Sequence, residues 1–194
     1  MTPQFTPDRR SAMQLSLAAA TLAAASFSAS GAKGAAGGSG PVHDFDFFFG
    51  SWNVHHRQLK ARLAGSTDWL EFSGATITQP LLGGQGNIDD NILDKPGGAY
   101  RAVTLRAFDP KTQTWSIWWL DGRNPDKLDV PMLGAFENGV GTFYADDTFE
   151  GKAIKVRFLW THSSHGACRW EQAFSEDGGK TWETNWTMDF ARTA

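Results

Sequence analysis

The chain has 194 residues, a formal net charge of −3 and one cysteine, Cys168. That length suits one domain, and a lone cysteine excludes both an internal disulfide and a multi-cysteine zinc site. No Lys/Arg run is present, which excludes the basic footprint of a nucleic-acid binder.

Residues 1–32 read as an export leader. A polar, positive start holds Arg9-Arg10-Ser11-Ala12-Met13, an apolar run follows from Leu15 to Phe27, and Ser30-Gly31-Ala32 supplies a cleavage signal. This layout with paired arginines predicts a twin-arginine signal peptide and a periplasmic or secreted protein. The apolar run falls short of the roughly 20 residues of a comfortable membrane span, so the mature form is expected to have no stable span. A packed N-terminal helix and an uncleaved anchor are the alternatives. Residues 33–42 form a Gly/Ala/Ser-rich linker, and residues 43–194 the domain. Losing the leader removes Arg9, Arg10 and Asp8 and makes the net charge one unit more negative.

Within the domain a period-two pattern dominates. It marks strands at Ser51–Leu59, Trp69–Thr78 and Gly86–Leu93, then at Ala99–Phe108, where Tyr100, Ala102, Thr104, Arg106 and Phe108 share one face. Asp109-Pro110-Lys111-Thr112 is a turn, because proline presets φ and aspartate bonds nearby amides. It leads into Thr114–Asp121, which puts Trp115, Ile117, Trp119 and Asp121 on one face and Ser116, Trp118 and Leu120 on the other. After the turn Glu137-Asn138-Gly139, strands follow at Val140–Thr148, Ala153–Thr161, Ala167–Phe174 and Thr181–Phe190. The spacing predicts an all-β fold, a single antiparallel up-and-down barrel of about 8–10 strands, since closure removes exposed edges. All nine tryptophans lie after residue 50 and twelve of the fourteen phenylalanines after residue 42. At roughly 150–250 Å² buried per ring, they can hold such a barrel together without disulfides and still line a cavity.

The segment His43-Asp44-Phe45-Asp46-Phe47-Phe48-Phe49-Gly50-Ser51-Trp52 would plug one end of the barrel. Gly50 allows a sharp turn into the first strand, Trp52 forms the floor, and Arg192 on the last strand is its cationic partner, worth roughly 0.5–2 kcal/mol. This Gly-x-Trp start with a terminal arginine resembles the lipocalin (calycin) superfamily. The wider Phe-Asp-Phe-x-x-Gly-x-Trp pattern is similar to uncharacterised bacterial lipocalin-like domains. The resemblance implies a barrel with a central pocket and an apolar or amphipathic ligand, without implying any chemistry. Separately, Ser175-Glu176-Asp177-Gly178-Gly179-Lys180-Thr181-Trp182 resembles the Asp-box of sialidase-like propellers. It occurs once, where a propeller repeats it, so it reads as a structural hairpin.

Two functions fit. One is an exported barrel that binds a small amphipathic or aromatic molecule, with Trp118, Trp119, Trp160 and Trp186 as stacking surfaces. Arg101, Arg106, Arg157 or Arg169 would grip an anionic end bidentately. The other is a cofactor-free lyase, isomerase or hydratase, with Asp121, Asp90 or Glu171 as general base in the same cavity. A carboxylate isolated among tryptophans favours catalysis, and carboxylates paired at the rim favour binding. No cofactor is implied, and no metal. His55 and His56 are adjacent and face opposite ways on a strand, and His162 and His165 lack a third ligand. Gly83-Gly84-Gln85-Gly86 reads as a hairpin or pocket-mouth loop, because no helix follows to make it a phosphate loop. Which strand faces line the cavity, and the oligomeric state, stay open.

Overall fold

The computed structural model describes residues 39–193 except His165; the expected leader, residues 1–32, and most of the expected linker lie outside the described residues. Two short 3₁₀ turns, Pro41–His43 and Asp46–Phe48, precede ten strands. These are β1 (Gly50–Leu59), β2 (Trp69–Leu81), β3 (Gly86–Leu93), β4 (Tyr100–Asp109) and β5 (Thr114–Asp121), followed by β6 (Met132–Glu137), β7 (Val140–Phe149), β8 (Lys152–Ser164), β9 (Ala167–Ser175) and β10 (Glu183–Arg192). Each strand pairs antiparallel with its sequence neighbours and β1 pairs with β10, so the sheet closes into an up-and-down barrel. Among the described residues no helix is long and apolar enough to cross a membrane.

Local chemistry accounts for the corners. At the β4–β5 turn the Lys111 amide donates to Asp109 Oδ1 at 2.8 Å. At the β9–β10 turn Asp177 accepts from the amides of Lys180 and Thr181 and from Thr181 Oγ1. Those bonds hold its carboxyl well below the usual range. The Asp-box-like segment is thus one self-bonded hairpin within a barrel.

Strand β6 has no counterpart in the periodicity. It is six residues long, contains Gly134 and Ala135, and pairs with β5 only through Trp115–Ile117. A Cβ on Gly134 would lie 2.0 Å from the Thr142 carbonyl oxygen, so only glycine lets β6 approach β7 here. The glycine that permits the pairing also breaks the apolar alternation.

One end of the barrel is plugged. Phe45 and Phe48 are fully buried, and Phe48 stacks on Trp52 at 5.4 Å between ring centroids. Trp52 is 1% exposed and donates from Nε1 to the Phe48 carbonyl at 2.8 Å. The Arg192 guanidinium lies 4.2 Å from the Trp52 ring centre and donates to the carbonyls of Phe49 and Phe47. Gly50, at φ 111°, leaves room for it, since a Cβ there would meet Arg192 Nη1 at 2.7 Å. One cation therefore ties the last strand to the segment that closes the floor. The Gly83-Gly84-Gln85 turn sits at this same end, because β2 and β3 meet there beside Gly50 and Thr78. It is not at the mouth.

Trp52→Ala should remove both ring contacts and the hydrogen bond, costing about 3–5 kcal/mol. Chemical denaturation measures this, and an unchanged midpoint would contradict the floor's role.

Candidate functional site

Strand alternation sends every second side chain inward. Above the plug these side chains leave a cavity of about 400 Å³. Its lower boundary is Arg106 of β4, 2% exposed and in the fully buried company of Asp89 and Asn87 of β3. Arg106 Nη1 and Nη2 donate to the two Asp89 oxygens, each at 2.7 Å, and Nη1 also donates to Asn87 Oδ1 at 2.9 Å. The guanidinium lies 5.0–5.2 Å from the ring centres of Phe45, Phe48 and Trp160. This bidentate pair neutralises a charge that would otherwise be costly among aromatic rings.

Higher up, an aromatic band crosses the interior. Trp119 of β5 and Trp186 of β10, on opposite sides of the strand order, meet with ring centroids 6.2 Å apart. Trp186 packs edge-on against Trp170 of β9 at 5.5 Å, and Trp170 against Phe158 of β8 at 4.8 Å. Ile117, Val156 and Met188 add apolar surface, and Asn91, Thr104 and Gln172 add neutral polar groups to the lining. Behind Trp186, His56 of β1 stacks flat on Phe72 at 4.6 Å and accepts a hydrogen bond from Trp186 Nε1 at Nδ1. Burial first, and the neighbouring His55 second, lower the His56 pKa from 6.5 to about 4. His55 itself faces solvent beside Glu71, so the two histidines do point opposite ways.

The mouth is charged. Asp121, at the end of β5, is held by Arg123, which also lies 3.8 Å from the Tyr100 ring centre. Those hydrogen bonds keep the Asp121 carboxyl below its ordinary range. Arg62 and Lys95 line the cavity from the β1–β2 and β3–β4 loops, while Asp129 and Asp147 line it from the β5–β6 loop and β7. Burial raises the Asp129 pKa, with Asp147 adding to it.

Of the residues singled out in the sequence, Trp119, Trp160, Trp186, Arg106 and Asp121 line the cavity. Trp118, Arg101, Arg157, Arg169, Asp90 and Glu171 lie on outward positions, and Trp52 is buried in the floor. Trp118 alternates with inward Trp119, Arg101 pairs with Asp90 at the surface, and Arg157 lies 4.6 Å from the Trp182 ring centre. Arg169 bridges Glu171 and Asp189. Asp90 and Glu171 are thus surface partners of arginines, and Asp89, one residue from Asp90, is the inward carboxylate. Arg62 and Lys95 both sit in loops, where periodicity carries no signal of a site. Among the described residues no group of three or more His, Cys, Asp or Glu is placed to hold a metal. His162 stacks on Phe47, and His165 lies outside the described residues.

No protein-family model matches the chain, and no curated protein matches it. Among solved structures it is similar to that of EF1p2_mFAP2b bound to DFHBI, at 13% identity and a TM-score of 0.40, over 78% of this chain and 98% of that one. So remote a similarity carries nothing about ligand or chemistry.

The histidine behind the band makes stability depend on pH. An unfolded chain takes up the His56 proton near pH 6.5 and the folded one only near 4. The stabilisation is complete above 6.5 and lost as pH falls towards 4, about 3 kcal/mol in all at roughly 1.4 kcal/mol per unit. His56→Gln, which keeps an acceptor for Trp186, should flatten the stability curve between pH 6.5 and 4. The same slope in wild type and variant would contradict this assignment.

Proposed function

We propose that the chain is an exported, lipocalin-like carrier or sensor that holds one small amphipathic or aromatic molecule above the Arg106–Asp89 floor. The cavity is the observation that carries this reading. It is blind at the floor, walled by Trp119, Trp170, Trp186 and Phe158, and reached through a polar mouth. About 400 Å³ lies within the range of small-molecule sites, roughly 300–1,000 Å³, and apolar walls with a few placed polar groups are their usual make-up.

Asp89 and Asp121 favour binding over catalysis, and Asp129, whose pKa burial and then Asp147 raise, lies at the solvent-exposed mouth. Asp89 is buried but bound by both its oxygens, and Asp121 is held at the rim by Arg123. Neither stands isolated among the tryptophans, as a general base in an apolar pocket would. Gly50-Ser51-Trp52 capped by Arg192 supports the lipocalin-like assignment. Arg9-Arg10 and the apolar run after them support twin-arginine export.

Native mass spectra of the gently purified chain should carry a small-molecule mass that is lost on denaturation. Ala145→Trp projects an indole into the cavity from β7 and should abolish that mass with only a small change in melting temperature. Retention of the bound mass in this variant would move the ligand out of the cavity. For export, Arg9→Lys with Arg10→Lys should leave the protein in the cytoplasm on fractionation; unchanged export would contradict the twin-arginine route.

A further inference from the structure

A barrel cavity with charge at both ends has to choose which end meets a ligand's polar group. At the floor the choice is closed. Both Asp89 oxygens already occupy Arg106, so a second anion there would meet a carboxylate, and a cation would meet a guanidinium. The mouth differs. Arg123 is paired with Asp121, but Arg62 and Lys95 are not neutralised in this way. Among the described residues no carboxylate lies within ion-pair distance of either.

Arg62 is half-buried, its guanidinium 5.5 Å from the Phe174 ring centre. Glu183 attracts it, yet the Leu63 amide donates to that carboxylate at 2.7 Å. Lys95 Nζ donates to Gln58 Oε1 at 2.8 Å, a neutral partner that itself lines the cavity. Burial, then Arg123 and Arg62, lower the Lys95 pKa, so these cations repel one another across the mouth. Two under-compensated cations above an apolar, aromatic-walled cavity are complementary to a molecule with an apolar body and one anionic end.

Resting on the small-molecule reading above, we infer that the ligand is an amphipathic carboxylate, flat or aliphatic in its body, that enters body first and leaves its carboxylate at the mouth against Arg62 and Lys95. The guanidinium fork takes one carboxylate edge and the ammonium neutralises the remainder. Trp119 and Trp186 receive the body. Asp129 and Asp147, on the other side of the mouth, disfavour a second negative charge and argue for a monoanion.

The test uses two size-matched triplets, 2-naphthoate, 2-naphthalenemethanol and 2-naphthylmethylamine, and decanoate, decanol and decylamine. Binding is followed by tryptophan fluorescence of the purified chain at pH 7.5 and low salt. In at least one triplet the acid should bind ten-fold or more tighter than the alcohol, and the amine weaker than both. Arg62→Gln with Lys95→Gln should bring the acid-to-alcohol affinity ratio towards one. Acid and alcohol binding equally to the wild type, or the amine binding best, overturns the inference while leaving the small-molecule reading standing. A ratio unchanged in a folded double variant also overturns it. Binding of none of the six removes the small-molecule reading and the inference together. If the double variant fails to fold, the wild-type ratios alone decide.

Discussion

A guanidinium held among three aromatic rings must be neutralised where it stands, and the two oxygens of Asp89 do this for Arg106. The rest of the barrel interior is arranged around that pair. Below it, Phe45, Phe48 and Trp52 fill the barrel, and Arg192 locks the plug from outside through the carbonyls of Phe47 and Phe49. Above it the inward side chains no longer suffice to fill the space. Removing either partner would leave a buried charge uncompensated, which costs far more than the pair contributes as a unit. The pair therefore sets where the solid core stops and where the hollow begins.

The hollow is shaped by a contact across the barrel. Trp119 and Trp186 come from opposite sides of the strand order and touch, and Trp170 and Phe158 extend the band along β9 and β8. Trp186 spends its indole N–H on His56, so its apolar faces are left for packing while the polar atom is satisfied behind the wall. The same arrangement keeps His56 neutral and dry, which links the integrity of the cavity wall to pH. Among the lining residues charge is thus confined to two levels, a closed pair at the floor and an open set at the mouth, with an uncharged, aromatic-rich surface between them. That division is what makes an amphipathic occupant the natural complement.

Much of the architecture is legible in the sequence, because alternation and turn chemistry are local. Nine of the ten strands, the Asp109-Pro110 turn and the plug ahead of Trp52 follow from residue type and spacing alone. The tenth strand, β6, is hidden by Gly134, whose lack of a side chain makes the pairing feasible and erases the pattern. Facing is harder, because a shift of one residue exchanges inside and outside. Asp90 and Asp89 are adjacent, yet one pairs with Arg101 in solvent and the other with Arg106 in the floor. Arg106 and Arg101 differ in the same way, as do Trp119 and Trp118. Only the register between β3, β4 and β5 decides among them. Arg62 and Lys95 lie in loops whose position over the mouth depends on closure of the whole barrel, which no local pattern encodes.

For the protein to carry a small molecule, the upper barrel must be hollow and able to take a guest. A high-resolution crystal structure of the protein purified without a denaturing step tests this most directly. It should contain a space of about 400 Å³ between the Arg106–Asp89 pair and the mouth, with electron density for a small molecule against Trp119 and Trp186. Tryptophans rotated inward to fill that space, with no room left for a guest, would contradict it.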